Sequence, residues 1–360
     1  MRKYFEKYVS NTLAGTSCQT YFESDEEVKR GRVYYKLFKS GTFEYSLLFS
    51  NTTDGTVGEG RNKVCNIPFE EWRIHSMRVG IVSYCDMMNV TEPDNFSQVY
   101  FEGEITKVVH KGEIFCCDAF VLSSHADEYM CLEIEFSGKV IPCHEEIWIA
   151  SFVAENGKWC SSYKLPTPSM VGCDRNVLSK ICFLGDSITQ GIGTTKNKYS
   201  NWCAQLAEML GKENSYWNLG IGRARSSDAA SDGAWLYKAK QTDTVFLCLG
   251  VNDIVNGKTE YEIVDNLRKV ISILKAERKK IIIQSVPPFD YSGENIKKWL
   301  YINQIIKDEL SKMTDGYFDC VPILGKSIKE SHIAKYGGHP DDDGCRVWAK
   351  KLYDYVKNIV

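Results

Sequence analysis

The sequence predicts two domains of different class. An all-β sandwich of jelly-roll type is expected over residues 1–165, a linker over 166–177, and an α/β domain over 178–360 whose parallel sheet is covered by helices on both sides. Three observations carry this reading. The chain has 360 residues, against a soft prior of roughly 150 per domain. Up to about residue 165 the apolar residues alternate with a period of two. Beyond the Pro- and Ser-containing stretch Lys164-Leu-Pro-Thr-Pro-Ser-Met, strand and helix patterns alternate instead.

Taken in order, the first part has one alternating row at Phe43, Tyr45, Leu47 and Phe49 and another at Met130, Leu132, Ile134 and Phe136. Strand-like runs also occur around Val33 to Phe38, Val79 to Tyr84, Val99 to Ile105, Ile114 to Val121 and Ile147 to Phe152. In the second part the candidate strands are Ile181 to Leu184, Ser215 to Leu219, Thr244 to Leu249, Ile281 to Val286 and Tyr317 to Val321. The clearest helix between them places Ile263, Leu267, Val270, Ile271 and Leu274 on one face. In such a sheet ligands bind beyond the carboxyl ends of the strands, so the loops just after each strand are where chemistry is expected.

Composition narrows the function classes. With 43% hydrophobic and 25% charged residues the chain is of ordinary globular composition, and a net charge of −3 offers no general attraction to nucleic acid or anionic lipid. No apolar run is long enough to span a bilayer, and the start MRKYFEKYVSNTLAG lacks the apolar core of a secretory signal. A cytoplasmic protein with neither a nucleic-acid nor a membrane partner is therefore expected. The 14 cysteines are scattered from Cys18 to Cys345 without a C-x-x-C, which predicts reduced, mostly buried thiols. Cys116 and Cys117, adjacent on a strand, would face opposite ways and make poor metal co-ligands. No metal or cofactor is expected.

Four strand ends carry the chemistry. Gly185-Asp186-Ser187-Ile188-Thr189-Gln190-Gly191-Ile192-Gly193 follows the first strand. It lacks the Gly-Lys-Ser/Thr ending of a phosphate loop. Ser187, at the mouth of the sheet where a helix begins, could serve as a nucleophile or simply cap the helix. Asn218-Leu-Gly220-Ile-Gly222-Arg223-Ala224-Arg225 follows the second strand; it has no third glycine for a dinucleotide loop and fits better as a turn presenting a backbone N–H. Gly250-Val251-Asn252-Asp253 follows the third, where Asn252 could donate its amide to an oxyanion or serve only as a turn residue. Gly338-His339-Pro340-Asp341-Asp342-Asp343-Gly344 precedes the final helical stretch. His332 and His339 are the histidines of the second half, so a serine base from this domain has two candidates; a loop histidine is otherwise a solvated surface residue.

Together these four blocks, in this order, resemble the SGNH or GDSL-type hydrolase family over about residues 178–360. The resemblance implies a three-layer α/β/α sandwich around a five-stranded parallel sheet, and acyl-ester hydrolysis without a metal. It also implies the site: Ser187 as nucleophile, His339 as base, and an oxyanion hole made of the Ser187 N–H, a main-chain N–H at Gly222 or Arg223, and the Asn252 side chain. Asp186 and Asp253 read as loop braces. Two positions depart from the family pattern. Tyr336 stands where an Asp three residues before the histidine is usual, and Arg223 stands where a glycine is common. The first departure predicts a Ser-His dyad, with Asp341 to Asp343 as a secondary source of a carboxylate. The second leaves the hole intact if the backbone there does not need a positive φ. Arg223 and Arg225 could hold an anionic substrate group or be merely solvated.

A β-sandwich followed by such a domain resembles two-domain carbohydrate esterases, which implies O-deacetylation of acetylated carbohydrates. A lipid or thioester acyl hydrolase is the competing enzyme, and a decayed, carbohydrate-binding protein the competitor from another class. His75, His110, His125 and His144 lie in the first half and are given no catalytic role. Oligomerisation stays open.

Overall fold

The computed structural model describes residues 1–18, 20–56, 65–145, 147–325, 334–335 and 338–360. They form two compact units: Met1–Thr53 with Asn66–Val177, and Asp54–Cys65 with Leu178–Val360. No helix among the described residues is long and apolar enough to cross a membrane.

The first unit is built of antiparallel sheets. In one, Gly41–Ser50 pairs with Met170–Cys173, Ile114–Cys116 and Phe120–Ser124, and Val9–Ser10 closes the far edge. In the other the order is Lys158–Ser161, Ser151–Glu155, Lys29–Lys36, Tyr129–Gly138 and Trp72–Val82, with Ser97–Val99 and Lys107–Val109 both pairing the last. Val79 to Val82 is the end of the long strand Trp72–Val82, and the run Ile114 to Val121 is split into two strands at Cys117-Asp118. Beyond Val99 the chain turns instead of continuing to Ile105, closing on a Phe101–Glu104 bridge.

Alternation does not translate into one wet face. On Tyr129–Gly138 the row Met130, Leu132, Ile134 and Phe136 is buried, but so are Cys131 and Glu133 on the opposite face. Glu133 is tolerated there because Arg32 pairs with it at 2.6 Å and Arg78 reaches its other oxygen.

The expected linker needs correction. Within 166–177, Met170–Cys173 is a central strand between Val9–Ser10 and Gly41–Ser50, and Met170, Val171 and Cys173 are buried. Pro166 and Pro168 lie just ahead of it, where no ladder N–H is required. The boundary also omits a detour: Asp54–Thr56 and Cys65 group with the second unit.

In the second unit the sheet order is Ser215–Asn218, Lys180–Gly185, Thr244–Cys248, Lys280–Gln284 and Gly316–Phe318, and every pairing is parallel. The strands are almost wholly buried, as a sheet covered on both faces demands. Helix Glu260–Ala276 buries Ile263, Leu267, Val270, Ile271 and Leu274 and opens with a Thr259–Glu262 capping box. Helices Trp202–Leu210 and Asp342–Val356 meet through the stacked rings of Trp202 and Trp348, 5.1 Å apart. Chain order 2-1-3-4-5 reverses direction between the strands Lys180–Gly185 and Thr244–Cys248. In open parallel sheets ligands bind at the carboxyl ends beside such a reversal; the Gly185 and Gly250 blocks leave the two strands that flank it, and the Asn218 block leaves the neighbouring edge strand.

Most of the cysteines are buried, and Cys160 is exposed. Burial raises the thiols it encloses, such as Cys182, to about 12, which keeps them protonated and inert.

Candidate active site

Strand Lys180–Gly185 delivers the chain to the carboxyl end of the sheet, and Asp186 turns it into the short helix Ser187–Gln190 by accepting from the Ile188 N–H at 3.0 Å. Ser187 is the first helical residue, so its N–H has no intrahelical acceptor. Its Oγ lies 2.8 Å from His339 Nε2, across 152 positions of chain.

His339 is seated by packing. Gly193 has φ +97°, and a Cβ there would fall 2.6 Å from His339 Cβ and 2.8 Å from the Pro340 carbonyl, so glycine is required on both counts. The Phe289 ring stands edge-on to the imidazole at 5.3 Å and 80°. Asp342 ties the two loops together by accepting from the Thr195 N–H, the Thr195 hydroxyl and the Ser200 hydroxyl, each at 2.7 Å. Asp341 caps the last helix by accepting from the Gly344 N–H at 2.9 Å, and exposed Asp343 pairs with Arg346. Tyr336 and His332 lie outside the described residues.

The second block forms a β-turn from Ile221 to Ala224, closed by the Ala224 N–H donating to the Ile221 carbonyl at 3.3 Å. Arg223 occupies its third position with φ +63°. This is the left-handed region, where a non-glycine residue costs about 1–2 kcal/mol. The positive φ on which the fate of the hole depended is present, and the strain is borne. The N–H groups of Gly220, Ile221, Ala224, Arg225 and Ser226 are all engaged within this unit. Gly220 is a close-approach glycine: a Cβ there would sit 2.6 Å from the Thr189 carbonyl carbon.

Asn252 donates Nδ2–H to the Ala224 carbonyl at 3.0 Å, which locks it to the turn and leaves its second amide hydrogen for another acceptor. Asp253 accepts from the Ser226 N–H at 2.9 Å and the Ser226 hydroxyl at 2.8 Å. Arg225 is not a solvated surface residue: it is fully buried, and its guanidinium makes no hydrogen bond among the described residues. Its charge acts on the carboxylates of Asp228 and Asp253. Among the described residues no cluster of three or more potential metal ligands occurs.

Burial dominates the local electrostatics. It pushes the Asp186 carboxyl up to about 7 and that of Asp253 up to about 6, in each case against the hydrogen bonds they accept. Such acids stabilise the fold while protonated. Their contribution is complete below about pH 4, the unfolded value, and is lost as pH rises toward 6 to 7. Thermal melts between pH 4 and pH 8 are expected to show a falling Tm, and Asp253→Asn should flatten that fall. A slope unchanged by the substitution would contradict the assignment.

Sequence reasoning missed Gly193 and Phe289 as the seat of His339, and Asp228 as a carboxylate behind the turn. Gly193 sits within the quoted first block; nothing local marks the other two.

The GDSL-like lipase/acylhydrolase family model matches residues 183–347. No curated protein matches the chain. Among solved structures, the chain is similar to a family two carbohydrate esterase from Clostridium thermocellum in complex with cellohexaose, at 13% identity and a TM-score of 0.43, covering 98% of each chain. It is also similar to a carbohydrate esterase family 3 protein from Talaromyces cellulolyticus, at 18% identity and a TM-score of 0.40, over 51% of this chain and 100% of that one. The inhibitor-bound aryl esterase of M. smegmatis is similar at 17% identity and a TM-score of 0.42, over 50% of this chain and 99% of that one.

Proposed function

We propose, from the match of residues 183–347 to the GDSL-like lipase/acylhydrolase family model, that the protein is a serine esterase working through a Ser187–His339 dyad. The observation that carries the reading is the 2.8 Å approach of Ser187 Oγ to His339 Nε2. With Nε2 unprotonated, the hydroxyl donates to it, and the oxygen gains nucleophilicity as it attacks the acyl carbon. The carbonyl oxygen becomes an oxyanion that accepts from the Ser187 N–H, from a main-chain N–H at Gly222 or Arg223, and from Asn252 Nδ2. His339 returns the proton to the departing alcohol, leaving an acyl group on Ser187. Water, activated by the same imidazole, then releases the acid. Gly193 and Phe289 hold the imidazole in place, a task usually shared with a carboxylate.

The acyl group proposed is acetyl and the alcohol a saccharide hydroxyl. Support comes from the order of a β-rich unit followed by a GDSL-like domain, which resembles two-domain carbohydrate esterases. Nitrophenyl acetate should be hydrolysed far faster than nitrophenyl octanoate, and acetylated saccharides should lose acetyl groups by mass spectrometry. Preference for the octanoate would replace this substrate with a lipid or thioester acyl chain.

Asn252→Ala removes one oxyanion donor and the bond to Ala224. Its kcat on nitrophenyl acetate is expected to fall by about 10² to 10³, with a smaller change in KM. A loss seen in KM alone would assign Asn252 to ground-state binding.

A further inference from the structure

Asp54–Thr56 groups with the second unit, although the chain up to Thr53 and from Asn66 belongs to the first. Its contacts reach the turn and the residues behind it. The Thr56 N–H donates to Asp228 Oδ2 at 3.1 Å, and the Thr56 hydroxyl lies 2.8 and 3.0 Å from the two carboxylate oxygens. The same Oδ2 accepts from the Arg225 N–H at 2.9 Å, at the exit of the turn. Gly55 lies flat on that turn: a Cβ there would be 3.3 Å from Ile221 Cγ2 and 3.8 Å from Ala224 Cβ, the residues that bracket Gly222 and Arg223. Asp54 anchors the segment through an ion pair with Lys238 at 2.5 Å, both side chains being essentially inaccessible to solvent.

We infer that Asp54–Thr56 is a positioning element for the oxyanion-hole turn, acting through Asp228 and through the packing of Gly55; the inference rests on the esterase reading above. A helix cap would need only the Arg225 N–H on Asp228. The additional donors from Thr56 satisfy a carboxylate that burial would otherwise leave destabilised, and burial does raise Asp228. This brace acts on the Arg225 N–H at the exit of the turn, while Asn252 and Asp253 hold Ala224 and Ser226. Held at these points, Arg223 keeps its left-handed conformation. Donors must sit about 2.7–3.1 Å from the developing charge, and small misplacements are costly there, so loosening the turn should act on turnover more than on binding.

The test uses the full chain with Thr56→Val, which keeps shape and loses the hydroxyl, and Thr56→Ser, which restores it. Thr56→Val should lower kcat on nitrophenyl acetate by about 10- to 100-fold with KM within about 3-fold, and Thr56→Ser should recover most of the loss. Amide hydrogen exchange read by mass spectrometry should quicken in peptides covering 220–226, while strand Thr244–Cys248 and helix Glu260–Ala276 stay as in the native protein. Unchanged exchange at 220–226 overturns the brace, and faster exchange with native kcat overturns its positioning role. Should the native protein hydrolyse no ester, the esterase reading falls, and exchange alone decides whether the brace exists.

Discussion

Replacing Ser187 by alanine is expected to reduce ester hydrolysis by about 10⁶ in kcat, close to the uncatalysed background plus whatever the oxyanion donors achieve with water. The size follows from what the residue does. Its Oγ forms the covalent bond and lies 2.8 Å from His339 Nε2, the group that takes its proton. Alanine fits the first turn of Ser187–Gln190 without strain, and Asp186 would still cap it through the Ile188 N–H, so the fold should be preserved. A circular-dichroism melt within a few degrees of the native protein, together with loss of turnover, is the expected pair of results. A variant retaining a tenth of native activity would assign the chemistry elsewhere.

Replacing His339 by alanine should cost nearly as much, about 10⁴ to 10⁶ in kcat, since the members of such a unit fail together when any one is removed. The loss should show in kcat, because the imidazole moves the proton and does not hold the substrate. The double variant Ser187→Ala/His339→Ala should be no worse than the poorer single one. Additive losses would mean that the two side chains do not act as a unit.

Much of this site is legible in the sequence, because its parts are local. Strand-to-helix blocks at Gly185–Gly193, Asn218–Arg225 and Gly250–Asp253 are contiguous, and the apolar strands before them announce where they sit. The helix Glu260–Ala276 is equally plain, since its buried face repeats at helical spacing. What escaped is what depends on distant chain. That Gly193 gives way to His339 is a contact between loops 146 positions apart, and no periodicity encodes it. The Thr56–Asp228 bonds join residues 172 positions apart. Arg225 reads as a surface loop residue by composition, yet the fold buries it beside Asp228 and Asp253. In the first unit, Met170–Cys173 hides behind two prolines, and its place in the sheet follows from partners more than 100 residues away. Burial on both faces likewise obscures the strands Gly41–Ser50 and Tyr129–Gly138, where the residues between the apolar rows are covered too.

The Arg223 turn shows how a departure from a pattern is absorbed. Glycine would meet φ +63° at no cost, whereas arginine bears about 1–2 kcal/mol. The turn is supplied with compensating bonds: the Asn252 amide on Ala224, the Ser226 pair on Asp253, and the Thr56 pair on Asp228. A main-chain donor can therefore keep its direction without a glycine beneath it.

Whether Ser187 is a nucleophile made reactive by His339 is read directly by treatment with a fluorophosphonate probe followed by peptide mass spectrometry. One adduct on the peptide containing Ser187 is predicted in the native protein, with none there in His339→Ala. Native protein that stays unlabelled, or carries the adduct on a different serine while hydrolysing esters, would contradict it.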